Sequence, residues 1–390
     1  MKMAKYIAAS LMMILVVAIA FAHWVLPGLL EGRYNLVKEH SPYGIRPEVQ
    51  AFHDQLFIAD LHSDSLLWKR DLLMESDIGH VDLKRLKKGN VALQVFSATT
   101  KSPPAQNYDK NTGETDIITL VAVSQFWPIR SWGSLYERAA YQLSKLYDFA
   151  QASQGELVVV KSKANMQLLI ARRLSGEKVT AGVYLIEGAH PLEGKLENLN
   201  LLFEKGLRIS GLTHFFDNRL GGSLHGVSKE GLTKFGKDVV NRANELGVII
   251  DVAHASPKMV SDVLDISNRP VILSHGGVKG VCDKGRNLDD SLMKRIAAAG
   301  GIVGIGYWEG AVCDITPAGV VRSIRYAIDL MGVDHVALGS DYDGATEVLF
   351  DTAELAILTQ TMFDEGFTET EIRQVMGENA MHFFLNNLPD

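Results

Sequence analysis

Seven histidine and carboxylate residues of this sequence recur at one kind of place, the end of a short apolar run. They are His62, Asp64, Glu187, His214, His254, His275 and Asp341. Imidazole and carboxylate groups hold divalent cations, and such cations activate water for hydrolysis. A single histidine at such a position is usually structural, but ionised groups that converge in an apolar interior are costly unless a partner or a cation neutralises them. The set therefore predicts metal ligands.

The apolar runs that carry these residues alternate with amphipathic stretches, which is typical of parallel βα units. Eight runs are predicted strands: LFIADLH, VALQVFSA, AGVYLIE, GLRISGLTH, GVIIDVAH, PVILSH, GIVGIGY and HVALGSD. Helices are predicted between them, for example after Thr233 and over SLMKRIAAAG, each of which closes on glycine. Eight βα units in one chain predict an α/β fold, a (β/α)8 TIM-type barrel.

The predicted ligands lie at the carboxyl ends of the strands, which form the catalytic face of such a barrel. His62 and Asp64 are two positions apart in an extended segment, so both side chains can reach one cation. A single catalytic cation usually takes three protein ligands, yet five candidates remain after His214 and Asp341 are set aside. Two cations about 3.5 to 4 Å apart fit better, with Glu187 as the natural bridge. Mixed imidazole and carboxylate ligands suit zinc best, although manganese and cobalt also fit.

The N-terminus carries a membrane signal. Lys2 and Lys5 precede an uncharged segment from Tyr6 to Leu30, and about 20 apolar residues cross a bilayer. The lysines predict a cytoplasmic N-terminus and an exported remainder, on the periplasmic face of a bacterial-type inner membrane. A cleaved signal peptide is the alternative, because residues 20–22 read Ala-Phe-Ala, but apolarity continues past that site and favours an anchor. We therefore expect an anchor or signal peptide over 1–30, a linker over 31–50 and a catalytic domain over 51–390.

Composition narrows the functional classes. The chain has 390 residues, 47% of them hydrophobic, and a formal net charge of -7, so it can bury a large core and lacks the basic face that nucleic-acid binding requires. Cys282 and Cys313 are too few for a disulfide framework, so stability is expected to come from packing. Residues 101–132 are too long for an ordinary βα connection and are predicted to form a loop over the barrel mouth.

Several of these stretches, in this order, resemble the membrane (renal-type) dipeptidases, peptidase family M19 of the metal-dependent amidohydrolase superfamily. The matching stretches are DLHSDS, IEGAH, LTHFFDN, DVAHAS, LSHGG, CDKGRNLDD, LGSDYDG and MGENAMHFF. The resemblance implies a binuclear zinc barrel that hydrolyses dipeptides, and it makes a homodimer the expected assembly. It assigns His62, Asp64 and bridging Glu187 to one zinc, and Glu187, His254 and His275 to the other. The first motif more often reads HND where this chain has HSD, and LSHGG replaces a serine-bearing version; neither change touches a ligand.

The same resemblance implies that three further residues handle substrate and protons. A hydroxide that bridges the cations would attack the peptide carbonyl, and His214 would stabilise the developing oxyanion. Asp341 would carry the proton to the leaving amine, and Arg286 would bind the free carboxylate of the substrate by two-point contact. On sequence alone, Arg286 is as well explained as a surface arginine.

Three other functional classes remain to be separated from a dipeptidase. A phosphoesterase or nuclease on a similar barrel would typically start with an HxH motif, which is absent here. The branch of the superfamily that bridges its metals with a carboxylated lysine needs a lysine at a strand end, and none of the predicted strands has one. A catalytically inactive receptor would not need all five ligands. Hydrolysis of N-acyl (D-)amino acids by the same kind of centre is a closer alternative.

Overall fold

Eight parallel strands close into a barrel in the computed structural model, which describes residues 2–390. The strands of the chain are β1 (Leu36–Val37), β2 (Ile58–Ser63), β3 (Val91–Thr99), β4 (Leu157–Val159), β5 (Thr180–Glu187), β6 (Leu207–Gly211), β7 (Ile249–Asp251), β8 (Ile272–Gly276), β9 (Ile302–Ile305), β10 (Val336–Leu338) and β11 (Glu347–Val348). The barrel order is β2, β3, β5, β6, β7, β8, β9 and β10, which pairs with β2 again. These are the eight predicted strands, so the TIM-type barrel is confirmed. β4 pairs with β5 outside the ring, and β1 pairs with β11.

Helices follow or precede most barrel strands and cover them from outside. They are α1 (Lys2–Trp24), α2 (Leu26–Tyr34), α3 (Pro47–His53), α4 (Leu83–Lys88), α5 (Ile117–Ser124), α6 (Ile129–Gly133), α7 (Leu135–Ala152), α8 (Lys163–Leu174), α9 (Glu197–Lys205), α10 (Lys234–Leu246), α11 (Pro257–Ile266), α12 (Asp290–Ala298), α13 (Glu309–Val312), α14 (Pro317–Met331), α15 (Ala356–Asp364), α16 (Glu369–Arg373) and α17 (Asn379–Asn387). Both helices predicted by their closing glycine are present as α10 and α12. Every residue of β2, β3 and β5 is buried, as expected for parallel strands covered by helices.

Local sequence signals set the ends of these helices. The hydroxyl of Thr233 accepts a 3.0 Å hydrogen bond from the backbone N–H of Gly236 at the start of α10. Gly247 ends the same helix with a φ of 75°, a left-handed conformation that glycine adopts without steric cost. Asp289 caps α12 in the same way as Thr233 caps α10, by accepting a 3.0 Å hydrogen bond from Leu292.

The two cysteines form a disulfide, which the sequence analysis did not predict. Cys282 lies in the segment after β8 and Cys313 in the segment after β9, and the bond joins positions 31 apart in sequence. The strands β8 and β9 are neighbours in the barrel, so the disulfide ties together two adjacent connections at the same end of it. Packing is therefore not the only source of stability in this part of the chain.

Helices α1 and α2 contain the apolar N-terminal segment. The candidate membrane span runs from Lys5 to Tyr34, with a mean hydropathy of 2.3 and none of its most apolar window buried. This segment is long and apolar enough to serve as a membrane anchor or a signal sequence. Its C-terminal part packs on the barrel, because buried Glu31 forms an ion pair with Arg70 and a Cβ on Gly32 would lie 3.2 Å from Ile78. The region predicted as a linker thus contains the end of α2, β1 and the start of α3.

Candidate metal centre

Five of the predicted residues meet around one carboxylate oxygen at the carboxyl ends of the strands. Glu187 Oε1 lies 3.1 Å from His254 Nε2 and 3.5 Å from the Nε2 atoms of both His62 and His275. His62 Nε2 is 3.8 Å from Asp64 Oδ2. All five side chains are buried, and Glu187 is the residue that the others share.

Three overlapping triads in this cluster could hold a cation, and one of them combines His62, Asp251 and His275. The other two share Glu187. In one, His62, Asp64 and Glu187 offer ligand atoms that all lie within 4.8 Å of one another, and in the other Glu187, His254 and His275 do the same. These are the two ligand sets that the family resemblance implied. The donor set is imidazole and carboxylate, which suits borderline divalent cations.

One buried nitrogen without a hydrogen-bond partner at the centre of the cluster indicates whether a cation would be stable there. Within residues 2–390, His62 Nε2 is buried without a hydrogen-bond partner. Burial alone would lower the pKa of His62, but Asp64, with a carboxylate oxygen 3.8 Å from this nitrogen, and the charges of Glu187 and Asp341 raise that pKa to about 10. The site therefore attracts positive charge to this nitrogen, and a cation would supply it. The residues present fit a metal.

The other two histidines are held in the form that binds metal. Burial lowers the pKa of His254 and of His275 well below the usual value, and the positive charge of Arg286 lowers both further. A neutral imidazole keeps the lone pair that a cation requires. Glu187, in contrast, has its pKa lowered despite its burial, because His214 and His62 favour the ionised carboxylate.

Residues outside the predicted set orient the candidate ligands. Ser274 Oγ donates a 2.6 Å hydrogen bond to Asp251 and lies 2.9 Å from His275 Nδ1 and 3.3 Å from His62 Nδ1. Because its only proton goes to Asp251, the hydroxyl can only accept from these imidazoles, which places their protons on Nδ1 and leaves Nε2 free for a metal. Thr99 donates to Glu187 Oε2 at 2.7 Å.

Sequence reasoning missed Asp251, Ser274 and Thr99. A signal for two of them was present, since Asp251 begins the DVAH stretch and Ser274 directly precedes His275. A polar residue inside an otherwise apolar strand needs a partner, and the ligand histidines were the nearest candidates. Thr99 ends β3, at the same end of the barrel as the ligands.

The three residues predicted to handle substrate lie at the same centre. His214 Nε2 is 3.3 Å from Glu187 Oε2, and Asp341 Oδ1 is 3.9 Å from His62 Nε2. Burial raises the pKa of Asp341 well above its usual range. Its backbone φ is 60°, and a Cβ on Gly344 would lie 2.3 Å from Asp341 Oδ1, so a side chain at position 344 would displace the Asp341 carboxylate.

Arg286 is buried beside the metal cluster and is not a surface residue. Its guanidinium lies 5.5 Å from the centre of the Trp308 ring and donates a 2.8 Å hydrogen bond to the main-chain carbonyl of His275. The neighbouring Asn287 donates to the carbonyls of Cys282 and Ala311 at 2.8 and 2.9 Å, which fixes the loop that carries the arginine. The disulfide holds the same loop covalently.

One cavity of about 960 Å³ opens above this cluster. Its chemical lining includes Asp64, Glu187, His214, His254, Arg286 and Asp341. The segment predicted to cover the mouth also lines the cavity, through residues such as Tyr108 and Val121, but it contains two short helices, α5 and α6, that were not predicted. Ile19 and Leu26 of the N-terminal helices complete the wall. The wall of the cavity above the candidate ligands is thus largely apolar.

The sequence match to known families covers nearly the whole barrel. The membrane dipeptidase family (peptidase family M19) matches residues 46–386. This chain belongs to the membrane dipeptidase family. An uncharacterized protein of Klebsiella pneumoniae is 31% identical over 260 residues, which cover 63% of this chain and 94% of that protein. The family is one of metal-dependent peptidases, so the chain is a hydrolase, and the residue groups described above are its candidate metal-binding sites.

Solved structures agree with this assignment in fold. A metallopeptidase from Rhodobacter sphaeroides, crystallised with a phosphinate mimic of the dipeptide L-Ala-D-Ala, superposes with a TM-score of 0.70 at 25% identity, over 85% of this chain and 99% of that one. A dipeptidase described as a metallopeptidase of family M19 also gives a TM-score of 0.70 at 25% identity, over 86% of this chain and 100% of that one. Both cover most of the chain, so this member of the membrane dipeptidase family shares their barrel.

Proposed function

We propose that the protein is a binuclear zinc dipeptidase. The observation that carries this proposal is the position of Glu187 Oε1, within 3.5 Å of the Nε2 atoms of three different histidines. One carboxylate so placed belongs to two of the candidate triads, as a bridging ligand between two cations would. Membership of the membrane dipeptidase family supports dipeptides as the substrate class.

In this proposal each of these two triads holds one zinc ion. His62 and Asp64 hold the first, His254 and His275 hold the second, and Glu187 touches both. When bound, the two ions supply a nucleophile at neutral pH, because they lower the pKa of water between them. Ser274 and Asp251 keep the imidazoles of His62 and His275 in the required tautomer by the hydrogen bonds described above.

In this proposal Arg286, His214 and Asp341 each act on a different part of the substrate. Arg286 binds the free carboxylate of the dipeptide, since a guanidinium presents two parallel N–H groups to a carboxylate. His214 donates a hydrogen bond to the oxygen of the scissile carbonyl as negative charge develops there. Asp341 accepts the proton of the attacking water and passes it to the leaving amine. Within residues 2–390, Arg286 has one hydrogen bond to protein, so its other N–H groups are available.

The proposed cellular location of the protein depends on its N-terminal segment. In this proposal α1 remains uncleaved and crosses the bacterial inner membrane, with the barrel on the periplasmic face. The length and hydropathy of the segment support a span, and the packing of α2 on the barrel gives the chain beyond residue 22 a structural role. A homodimer is compatible with this arrangement and is proposed only from the family resemblance.

A substrate panel tests the proposed activity. The full-length protein, purified in detergent and loaded with zinc, is assayed against L,L and L,D dipeptides, their N-acylated forms and phosphodiesters. We expect hydrolysis of free dipeptides only, and no hydrolysis by a variant with both His254 and His275 changed to Ala. The Rhodobacter sphaeroides ligand makes L-Ala-D-Ala a useful member of the panel. Turnover of N-acyl amino acids or phosphodiesters instead would replace the proposal with one of those activities.

A further inference from the structure

We infer that residues 117–133, which we call the entrance segment, lie in the surface of the lipid bilayer beside the N-terminal helix. The entrance segment comprises α5, α6 and the four residues between them, and it forms part of the cavity wall above the metal cluster. The inference rests on the proposed membrane anchoring of α1. It adds a second point of contact with the membrane, made by the catalytic domain itself.

The end of α1 is fixed to the barrel beside the entrance segment. The ring of Phe126 lies 4.3 Å from the ring of His23, centre to centre. Lys69 of the barrel donates a 2.7 Å hydrogen bond to the carbonyl of His23 and places its ammonium group 4.5 Å from the centre of the Trp24 ring. The position of the membrane span therefore determines the position of the entrance segment.

The length of the span places this contact at the outer face of the membrane. An uncharged run begins at Tyr6, and about 20 residues cross the hydrocarbon core, so the span ends close to Trp24. Tryptophan is common at that boundary. Ile19 lines the same cavity as Leu120, and at 1.5 Å of rise per residue Ile19 lies roughly 7 Å below Trp24. The entrance segment consequently lies at the level of the lipid headgroups and upper acyl chains.

The chemistry of the segment suits that environment. Residues 117–129 contain no charged side chain. Leu120, Phe126 and Ile129 are 64%, 49% and 78% exposed, although large apolar side chains grouped in this way are unfavourable in water. A short apolar helix that lies flat in a membrane interface buries such residues in lipid. The exposed apolar side chains continue the apolar surface of α1, and we assign the bilayer as their partner. The cavity mouth then opens at the membrane surface.

Depth measurements on the full-length chain test this inference. Its two native cysteines are paired, so single cysteines introduced at Leu120, Phe126 or Ile129 can carry a nitroxide label. Each protein is reconstituted into phosphatidylcholine and phosphatidylglycerol vesicles, and collisions of the label with oxygen and with a water-soluble nickel chelate are compared. Leu174 is the matched control, because it is also an exposed leucine, 83% exposed at the end of α8. It lies close to the start of β5, and therefore at the end of the barrel opposite the cavity. A label at Leu15 reports on α1.

We expect labels at the three entrance positions, like the label at Leu15, to collide mainly with oxygen, and the label at Leu174 to collide mainly with the nickel chelate. Oxygen-dominated collisions at Leu15 combined with nickel-dominated collisions at all three entrance positions would overturn the inference and leave the anchor intact. Nickel-dominated collisions at Leu15 as well would overturn both. Entrance labels shielded from both reagents would show that protein, such as a second copy of the chain, covers the segment, and would overturn the inference.

Discussion

The guanidinium of Arg286 donates a 2.8 Å hydrogen bond to the main-chain carbonyl of His275. Arg286, which is proposed to bind the free carboxylate of the substrate, is thereby held at a set distance from His275, a proposed metal ligand. In a dipeptide the free carboxylate also lies at a set distance from the scissile bond. The pair can therefore select substrates by length as well as by charge.

Changes at Arg286 are expected to affect free dipeptides selectively. Arg286→Lys and Arg286→Ala should lower kcat/KM for free dipeptides by a factor that corresponds to about 2 to 4 kcal/mol of transition-state stabilisation. The alanine variant loses one side of the charged pair with the substrate carboxylate, and lysine cannot form the two-point contact. Metal content should stay at the wild-type value. Dipeptide amides should be poor substrates of the wild type and lose little more in the variants. Arg295→Lys, which changes an exposed ion pair with Asp265, is the control. Equal losses on free and amidated dipeptides would make Arg286 a structural residue.

Removal of the shared carboxylate is expected to empty both metal sites. Glu187→Ala should lose more zinc than a change of any other single ligand, because the carboxylate belongs to both proposed zinc triads. Elemental analysis of the purified protein should give close to two zinc ions per chain for the wild type and for Glu245→Ala, a control on the surface of α10. A fully active wild-type enzyme with one cation per chain would contradict the binuclear centre.

The hydroxyl of Ser274 is expected to control metal affinity through the two imidazoles. Ser274→Ala leaves Asp251 and the Nδ1 atoms of His62 and His275 without their shared partner, so zinc affinity should fall roughly 10- to 100-fold. Zinc titration against a competing chelator measures this, and added zinc should restore activity. The control is Ser323→Ala, a buried serine whose hydroxyl bonds within α14. Unchanged zinc affinity in Ser274→Ala would show that the hydroxyl does not orient the ligands.

Loss of the disulfide is expected to weaken both stability and substrate binding. The Cys282→Ser, Cys313→Ser double variant should unfold with roughly 3 to 4 kcal/mol less free energy, as the entropy of a loop of this length indicates. KM should rise, because the loop of Arg286 loses its covalent tie, while zinc content should not change. Denaturant unfolding and steady-state kinetics check the two parts. A variant with lower stability and unaltered KM would show that Asn287 alone is sufficient to fix the loop.

Acid should destabilise the protein partly through His53, which is far from the metal centre. Burial lowers the pKa of His53 to about 4, so between that value and about 6.5 the unfolded chain binds a proton that the folded chain does not. Folding stability therefore rises with pH in this window, and His53 should account for about 2 kcal/mol lost between pH 7 and pH 5. The curve of unfolding free energy against pH should be flatter for His53→Gln than for the wild type. The control variant His382→Gln, which changes an exposed histidine, should follow the wild-type curve. Parallel curves for all three would contradict the prediction.

The barrel and the position of the site were predictable because both depend on local patterns. Each strand is a short apolar run, and His62, Glu187 and His275 can be recognised in the sequence as polar residues where such runs end. The paired cysteines were not predictable in the same way, because their proximity follows from β8 and β9 being neighbours in the closed sheet. The roles of Ser274 and Asp251 depend on hydrogen bonds across strands, which no spacing along the chain encodes.

Arg70 forms ion pairs with Glu31 of α2 and with Asp343, two residues beyond Asp341 in the loop after β10. The N-terminal segment is therefore a building block of the catalytic domain, and the barrel cannot swivel on it as on a flexible tether. Anyone who prepares a soluble version of the enzyme by trimming its N-terminus should keep residues 26–34. A cut after them would leave Arg70 buried without its ion pair to Glu31 and would loosen the loop that carries Asp341.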